Sequence, residues 1–201
     1  MVTTINVFKQ QKLREPVLLV GLPGIGLVGK IAVDYLLSEL KPKATKFAQI
    51  VSDSFPPAVH AKSSVLELIS DNVYLYKGKT RDYLFLAGPV QPNLSNISNS
   101  QEHYEFSEKI GWFAKKQGVK EIYTFAGINI GEKRLNQKPR VLAVASDKGT
   151  KELLKGKNIS NVVFEDSQGD TLISGVAGLL IGIAYYSYGI SGCCFMGETD
   201  Q

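Results

Sequence analysis

The stretch Pro16-Val-Leu-Leu-Val-Gly-Leu-Pro-Gly-Ile-Gly-Leu-Val-Gly-Lys30 constrains the fold more than any other. Val17 to Val20 is a short unbroken apolar run, as in a strand covered on both faces. Four glycines follow at positions 21, 24, 26 and 29. From Ile25 onward, Val28, Ile31, Ala32, Tyr35, Leu36 and Leu40 recur at helical spacing. A buried strand feeding through a glycine turn into a helix is the opening unit of an α/β domain.

Two nucleotide signatures overlap in this turn, and both are incomplete. Gly24, Gly26 and Gly29 spell G-x-G-x-x-G in the strand-to-helix context of a dinucleotide site. The acid that would hold a ribose falls only loosely at Asp53. Gly24 to Lys30 also spells G-x-x-x-x-G-K, but Ile31 stands where a phosphate loop needs Ser or Thr for magnesium. Lys30 lies one helical turn from Asp34 and can pair with it on the solvent face. In the leading reading the glycines let helix and sheet backbones nest and supply positive φ. Nucleotide binding through Gly24, Gly26, Gly29 and Lys30 is the alternative.

Strand and helix patterns alternate along the rest of the chain. Thr3–Phe8 reads as an edge strand, and Lys41-Pro42 ends the first helix. Lys46–Val51 is a strand. Val65–Ile69 and Val73–Tyr76 flank Ser70-Asp-Asn, which predicts a hairpin. Tyr83–Ala87 is a further strand. Phe106, Ile110 and Phe113 mark an amphipathic helix that Ser98 or Asn99 would cap and Gly118 would stop. Ile122–Ala126, Val141–Ala145 and Val162–Phe164 read as strands, and Lys148–Leu154 as a short helix. The expected fold is α/β, a three-layer α/β/α sandwich with a mostly parallel central sheet. The 201 residues, 44% hydrophobic and 21% charged, suit a single domain over 1–201.

Residues 171–197 carry no charge, a run long enough to raise a membrane span. Its grammar favours a buried helix, Leu172–Tyr188, with Gly175, Gly178 and Gly182 on one face. Gly189 would end it, and Ser191–Met196 would form a core strand. The polar amino terminus lacks a signal-peptide apolar region. Cys193 and Cys194 are the only cysteines; they read as small buried residues, consistent with a reducing cytoplasm. No zinc spacing occurs.

A net charge of +4 is mild. Basic residues crowd between Gly131 and Asn158, but no aromatic lies among them to stack on single-stranded nucleic acid. That stretch reads as a solvated basic surface, open to an acidic protein partner. Neither His60 nor His103 has metal-ligand spacing or a nucleophile elbow beside it. Glu165, Asp166 and Asp170 read as carboxylates at a helix start rather than a metal set. No catalytic, metal or cofactor site is expected.

Gly21–Gly29, Phe55-Pro56-Pro57, Gly169–Ala184 and Gly192-Cys-Cys-Phe-Met-Gly-Glu-Thr199, in that order and spacing, resemble the proteasome assembly chaperone family in its archaeal form. The resemblance implies an α/β/α domain similar in topology to nucleoside phosphorylases. It implies a non-enzymatic, ATP-independent, cytoplasmic homo-oligomer that binds proteasome α subunits, without nucleic acid or membrane. It also implies a carboxy-terminal extension and docking tail. The chain ends at Gly197-Glu-Thr-Asp-Gln201, so the domain is expected to lack that extension, and no tail residue is carried over. Loops carry recognition on rigid scaffolds. Gln91–Gln101 and Asn129–Arg140, with Asn93, Asn129, Lys133 and Arg134, are therefore the expected partner surface.

Overall fold

Residues 3–92, 100–131, 138–164 and 172–200 are described by the computed structural model. The elements in order are β1 (Thr3–Val7), β2 (Val17–Gly21), a 3₁₀ turn (Ile25–Leu27), α1 (Val28–Glu39), β3 (Thr45–Ser52), β4 (Val59–Lys62) and β5 (Val65–Leu68). They continue with β6 (Asp71–Lys77), β7 (Asp82–Ala87), α2 (Ser100–Lys116), β8 (Glu121–Asn129) and β9 (Val141–Ala145). The last are α3 (Lys148–Lys155), β10 (Val162–Val163), α4 (Val176–Tyr188) and β11 (Ser191–Thr199).

Nine strands form one sheet in the order β1-β3-β6-β7-β2-β8-β11-β9-β10. The central strands β7, β2, β8 and β11 run parallel. Antiparallel ladders flank them: β1, β3 and β6 on one side, β9 on the other. The fully apolar β2 lies at the middle of the sheet, as its sequence requires.

Alternation along each strand sends neighbours to opposite faces. Leu18, Leu84, Ile122 and Cys194 meet Phe106, Ile110 and Phe113 of α2 and Val176, Leu180 and Ala184 of α4 in the main core. Leu19, Phe85 and Phe125 meet Val33 and Leu37 of α1 on the other face. Beside them, Leu154 of α3 covers Ala143 and Cys193. The expected three layers are present. α3 begins at Asp147, whose carboxylate accepts from the Thr150 backbone N–H at 2.9 Å and the Thr150 hydroxyl at 2.7 Å. These bonds, with one from Ser146, hold its pKa down to about 2.

Three expectations are corrected. Ser70-Asp-Asn does not join a hairpin: β5 pairs with β4, whereas β6 pairs with β3 and β7. The turn is Ser63-Ser64, with φ of +48° and +63°. The last helix starts at Val176, not Leu172, and Gly175 caps its amino end at φ +81°. Its glycines do not form a packing face. A Cβ on Gly178 would meet Ile173 in the preceding segment, and Gly182 faces open space. The close approach between helices comes instead from Gly111 of α2, which lies under the Tyr188 ring. Gly189 ends α4 in the left-handed region at φ +65°, as expected.

Candidate functional site

The glycine turn sits at the carboxyl end of β2, between β7 and β8, where open α/β sheets bind ligands. Gly24 is extended at φ −166°, while Gly26 and Leu27 are left-handed at φ +57° and +53°. The structure brings Gly24, Gly26, Gly29 and Lys30 into this one turn, but backbone fills the space between them. A Cβ on Gly29 would lie 2.0 Å from the Phe125 carbonyl oxygen, and one on Gly21 would lie 2.2 Å from that of Gly29. A Cβ on Gly127 would lie 2.1 Å from that of Ile25. Gly24 alone looks outward, with Gln91 Nε2 3.8 Å away as its nearest contact.

The cavity behind the turn, lined by Leu22, Gly24, Gln91, Phe125 and Ser174, holds about 80 Å³. Ligand pockets for small molecules span roughly 300–1,000 Å³. Lys30 Nζ donates to Asp34 Oδ2 at 2.5 Å rather than reaching over the turn. The dinucleotide topology is absent too. The strand after α1 is β3, which β6 and β7 separate from β2. Asp53 therefore follows a strand that is not a neighbour of β2, and the ribose-binding role fails. These residues form a packing joint between α1 and the sheet.

A larger cavity, about 360 Å³, lies along the flank of α1, lined by Lys30, Asp34, Lys41, Asn72, Tyr74 and Gly88 among others. Beside it Asp71 is fully buried, with its carboxylate against the Gly88 backbone. Burial raises its pKa to about 8, against the opposing pull of the Val90 N–H and the Lys30 charge. Sequence reading missed Asp71 because an Asp-Asn pair after serine carries the signal of a solvated turn.

Of the four expected contact residues Asn93, Asn129, Lys133 and Arg134, Asn129 alone is described, and it is exposed at the end of β8. Its side chain accepts from the Gly131 N–H at 2.7 Å. Asn93, Lys133 and Arg134 lie outside the described residues, as do Ser98, Asn99, Glu165, Asp166 and Asp170. His60 is exposed on β4 opposite Glu67, and His103 is buried on α2. Among the described residues no group of three His, Cys, Asp or Glu is placed to hold a metal, and no helix is long and apolar enough to cross a membrane.

The profile of the PAC2 family matches residues 18–201. The chain belongs to the PAC2 family. A Methanocaldococcus jannaschii protein of uncharacterised function is 30% identical over 190 residues, spanning 94% of this chain and 67% of that protein. The crystal structure of Pyrococcus furiosus PbaB, described as an archaeal proteasome activator, superposes with a TM-score of 0.88 at 34% identity. That match covers 98% of this chain and 80% of PbaB. P. furiosus PbaA, described as an archaeal homolog of proteasome-assembly chaperone, shares the fold with a TM-score of 0.73 at 19% identity, over 98% of this chain and 73% of PbaA. The layered α/β sheet is the fold of these PAC2 relatives. None of the nucleotide residues in the glycine turn forms an open cradle.

Proposed function

We propose that this PAC2 chain is a non-enzymatic, ATP-independent binding protein that engages proteasome α subunits and assists their assembly or activity in the cytoplasm. The likeness to PbaB, at 34% identity across nearly the whole chain, carries the reading. The closed glycine turn supports it, since backbone carbonyls occupy the space a phosphate would need. The mechanism is surface complementarity: a rigid sheet presents loops to apolar and acidic faces of subunits until the ring closes. Gln91–Gln101 and Asn129–Arg140 form the partner surface, with Asn93, Asn129, Lys133 and Arg134 as contacts.

Co-purification with archaeal proteasome α subunits tests this. A complex at micromolar concentration that forms equally with and without ATP is expected; its absence overturns the reading. Calorimetry with NAD, ATP and nucleosides is expected to give no binding heat. A measurable affinity that Gly26→Ala abolishes in a folded protein would instead favour a nucleotide-binding enzyme.

A further inference from the structure

The cavity of about 360 Å³ beside α1 reaches the size of small-molecule sites, roughly 300–1,000 Å³. Ala87, Gly88 and Pro89 at the carboxyl end of β7 line it together with side chains of β6 and α1. Open α/β sheets place ligands at that end of their strands.

Its polar groups are incompletely satisfied. Asn72 of β6 lines the cavity, and its Oδ1 is buried without a hydrogen-bond partner. Buried amide oxygens are nearly always paired, so this one marks a place for a donor. On the α1 wall Lys30 Nζ donates to Asp34 Oδ2 at 2.5 Å. That bond leaves further protons on the ammonium and further lone pairs on the carboxylate. The charges of both reach the Tyr74 phenol with opposite signs, so the three side chains face one space. Just past the end of α1, Lys41 also lines the cavity and makes no ion pair among the described residues.

We propose that this cavity binds a small anionic polyol, with its hydroxyls on Asn72, Asp34 and Lys30 and its phosphate or carboxylate on Lys41. A hydroxyl both donates and accepts, so it satisfies the Asn72 amide and bridges the donor Lys30 and the acceptor Asp34. A ligand amine would meet the Lys30 ammonium, and like charges at short range repel. A purely apolar ligand would leave Asn72 Oδ1 unpaired. The carbon chain of a polyol lies against Leu37, Ala44 and the Tyr74 ring. Two ammonium groups against one carboxylate make the lining positive and favour an anion. Asp71 packs on Gly88 behind the wall and adds no second carboxylate at neutral pH, because burial raises its pKa to about 8. A volume near the lower limit of the range takes a single ring or a short chain, not a nucleotide.

The test is calorimetry on the full chain at neutral pH and low salt, with ribose 5-phosphate, glycerol 3-phosphate and gluconate as probes. At least one should bind with saturable heat. Ribose, glycerol and inorganic phosphate should each bind about tenfold or more weakly than that probe. Preference for the phosphoesters or for gluconate supports the site either way and names its anion. Asn72→Leu and Lys41→Met should each weaken the binding about tenfold or more. Neither should lower the melting temperature, since the first removes an unpaired amide and the second an exposed charge. Lys43→Met, at a lysine outside the cavity lining, should bind as the wild type does. No heat from any of the three probes at millimolar concentration overturns the proposal. So does inorganic phosphate binding as tightly as its esters, or an affinity that neither Asn72→Leu nor Lys41→Met changes. Failure to bind proteasome subunits leaves it standing.

Discussion

The α-carbon of Gly29 rests on the carbonyl group of Phe125, so close that a methyl group there would stand 2.0 Å from the oxygen. This contact seats the first turn of α1 on β8 and closes the space between strand and helix. Helix propensity alone favours Gly29→Ala by about 0.5–1 kcal/mol. The overlap is with backbone, which cannot rotate aside, and overpacking of this kind costs about 1–3 kcal/mol or more. Gly29→Ala is expected to destabilise the fold by about 1–2 kcal/mol net in urea unfolding. Gly24→Ala, at an extended φ with its nearest neighbour 3.8 Å away, should change stability by under about 0.5 kcal/mol. A nucleotide cradle would show the reverse pattern in ligand affinity.

Glu198 near the end of β11 is buried and tied to Arg140. It accepts from the Arg140 backbone N–H at 2.6 Å and from Nε and Nη2 at 3.2 and 3.0 Å. Arg140 returns the favour through its carbonyl, which accepts the Glu198 N–H at 3.1 Å. Arg140→Ala strips the guanidinium from a carboxylate that stays buried. Hydrogen bonds to charged groups contribute about 1.5–3 kcal/mol, and a buried charge without its partner adds to the loss. The unfolding free energy from denaturant titration is expected to fall by an amount in that range. The double variant Arg140→Met, Glu198→Leu should cost less than the two single changes together.

What was legible in the chain was whatever left a periodic trace. Val17–Val20 reads as a strand covered on both faces because all four residues are apolar, and the strand lies at the middle of the sheet. Phe106, Ile110 and Phe113 gave the buried face of α2 because a helix returns to one side every three or four residues. Ser63-Ser64 left no trace, since a two-residue hairpin turn at positive φ is normally announced by Asn or Gly. The apolar run after it was therefore joined to the wrong strand. Leu66 and Leu68 add to the ambiguity, because an apolar strand reads the same in sequence whether it is buried or, as here, exposed. In the turn site, the glycine signature marked the right place. Which atoms the glycines yield to, Phe125 and Ile25 carbonyls from β8 and the turn itself, depended on strand order that local sequence does not encode.

Cys193 and Cys194 point to opposite faces of β11 and are both buried. Burial, more than any neighbour, pushes the Cys193 thiol up to about 12 and raises that of Cys194. The thiolate is the reactive form, so neither residue offers it at neutral pH. Native protein at pH 8 should leave an aromatic disulfide reagent almost uncoloured, and both thiols should titrate at once on unfolding in guanidinium. Rapid native reaction would mean that β11 is open to solvent.

Asp71 makes the fold pH-sensitive. Its pKa rises from 3.8 to about 8 on folding, with burial as the main cause. Between those values the folded chain holds a proton that the unfolded chain releases. Stability from this group is therefore complete below about pH 4, declines as pH rises, and is lost by about pH 8. Asp71→Asn keeps the shape and removes the ionisation. At pH 4 the variant should match the wild type or fall slightly below it, because the amide must fit against the Gly88 backbone. At pH 9 it should melt several degrees higher, since the wild type then carries a carboxylate in a dry site. Melting temperatures of both proteins across pH 4–9 measure the difference, and parallel curves would show that Asp71 is ionised throughout.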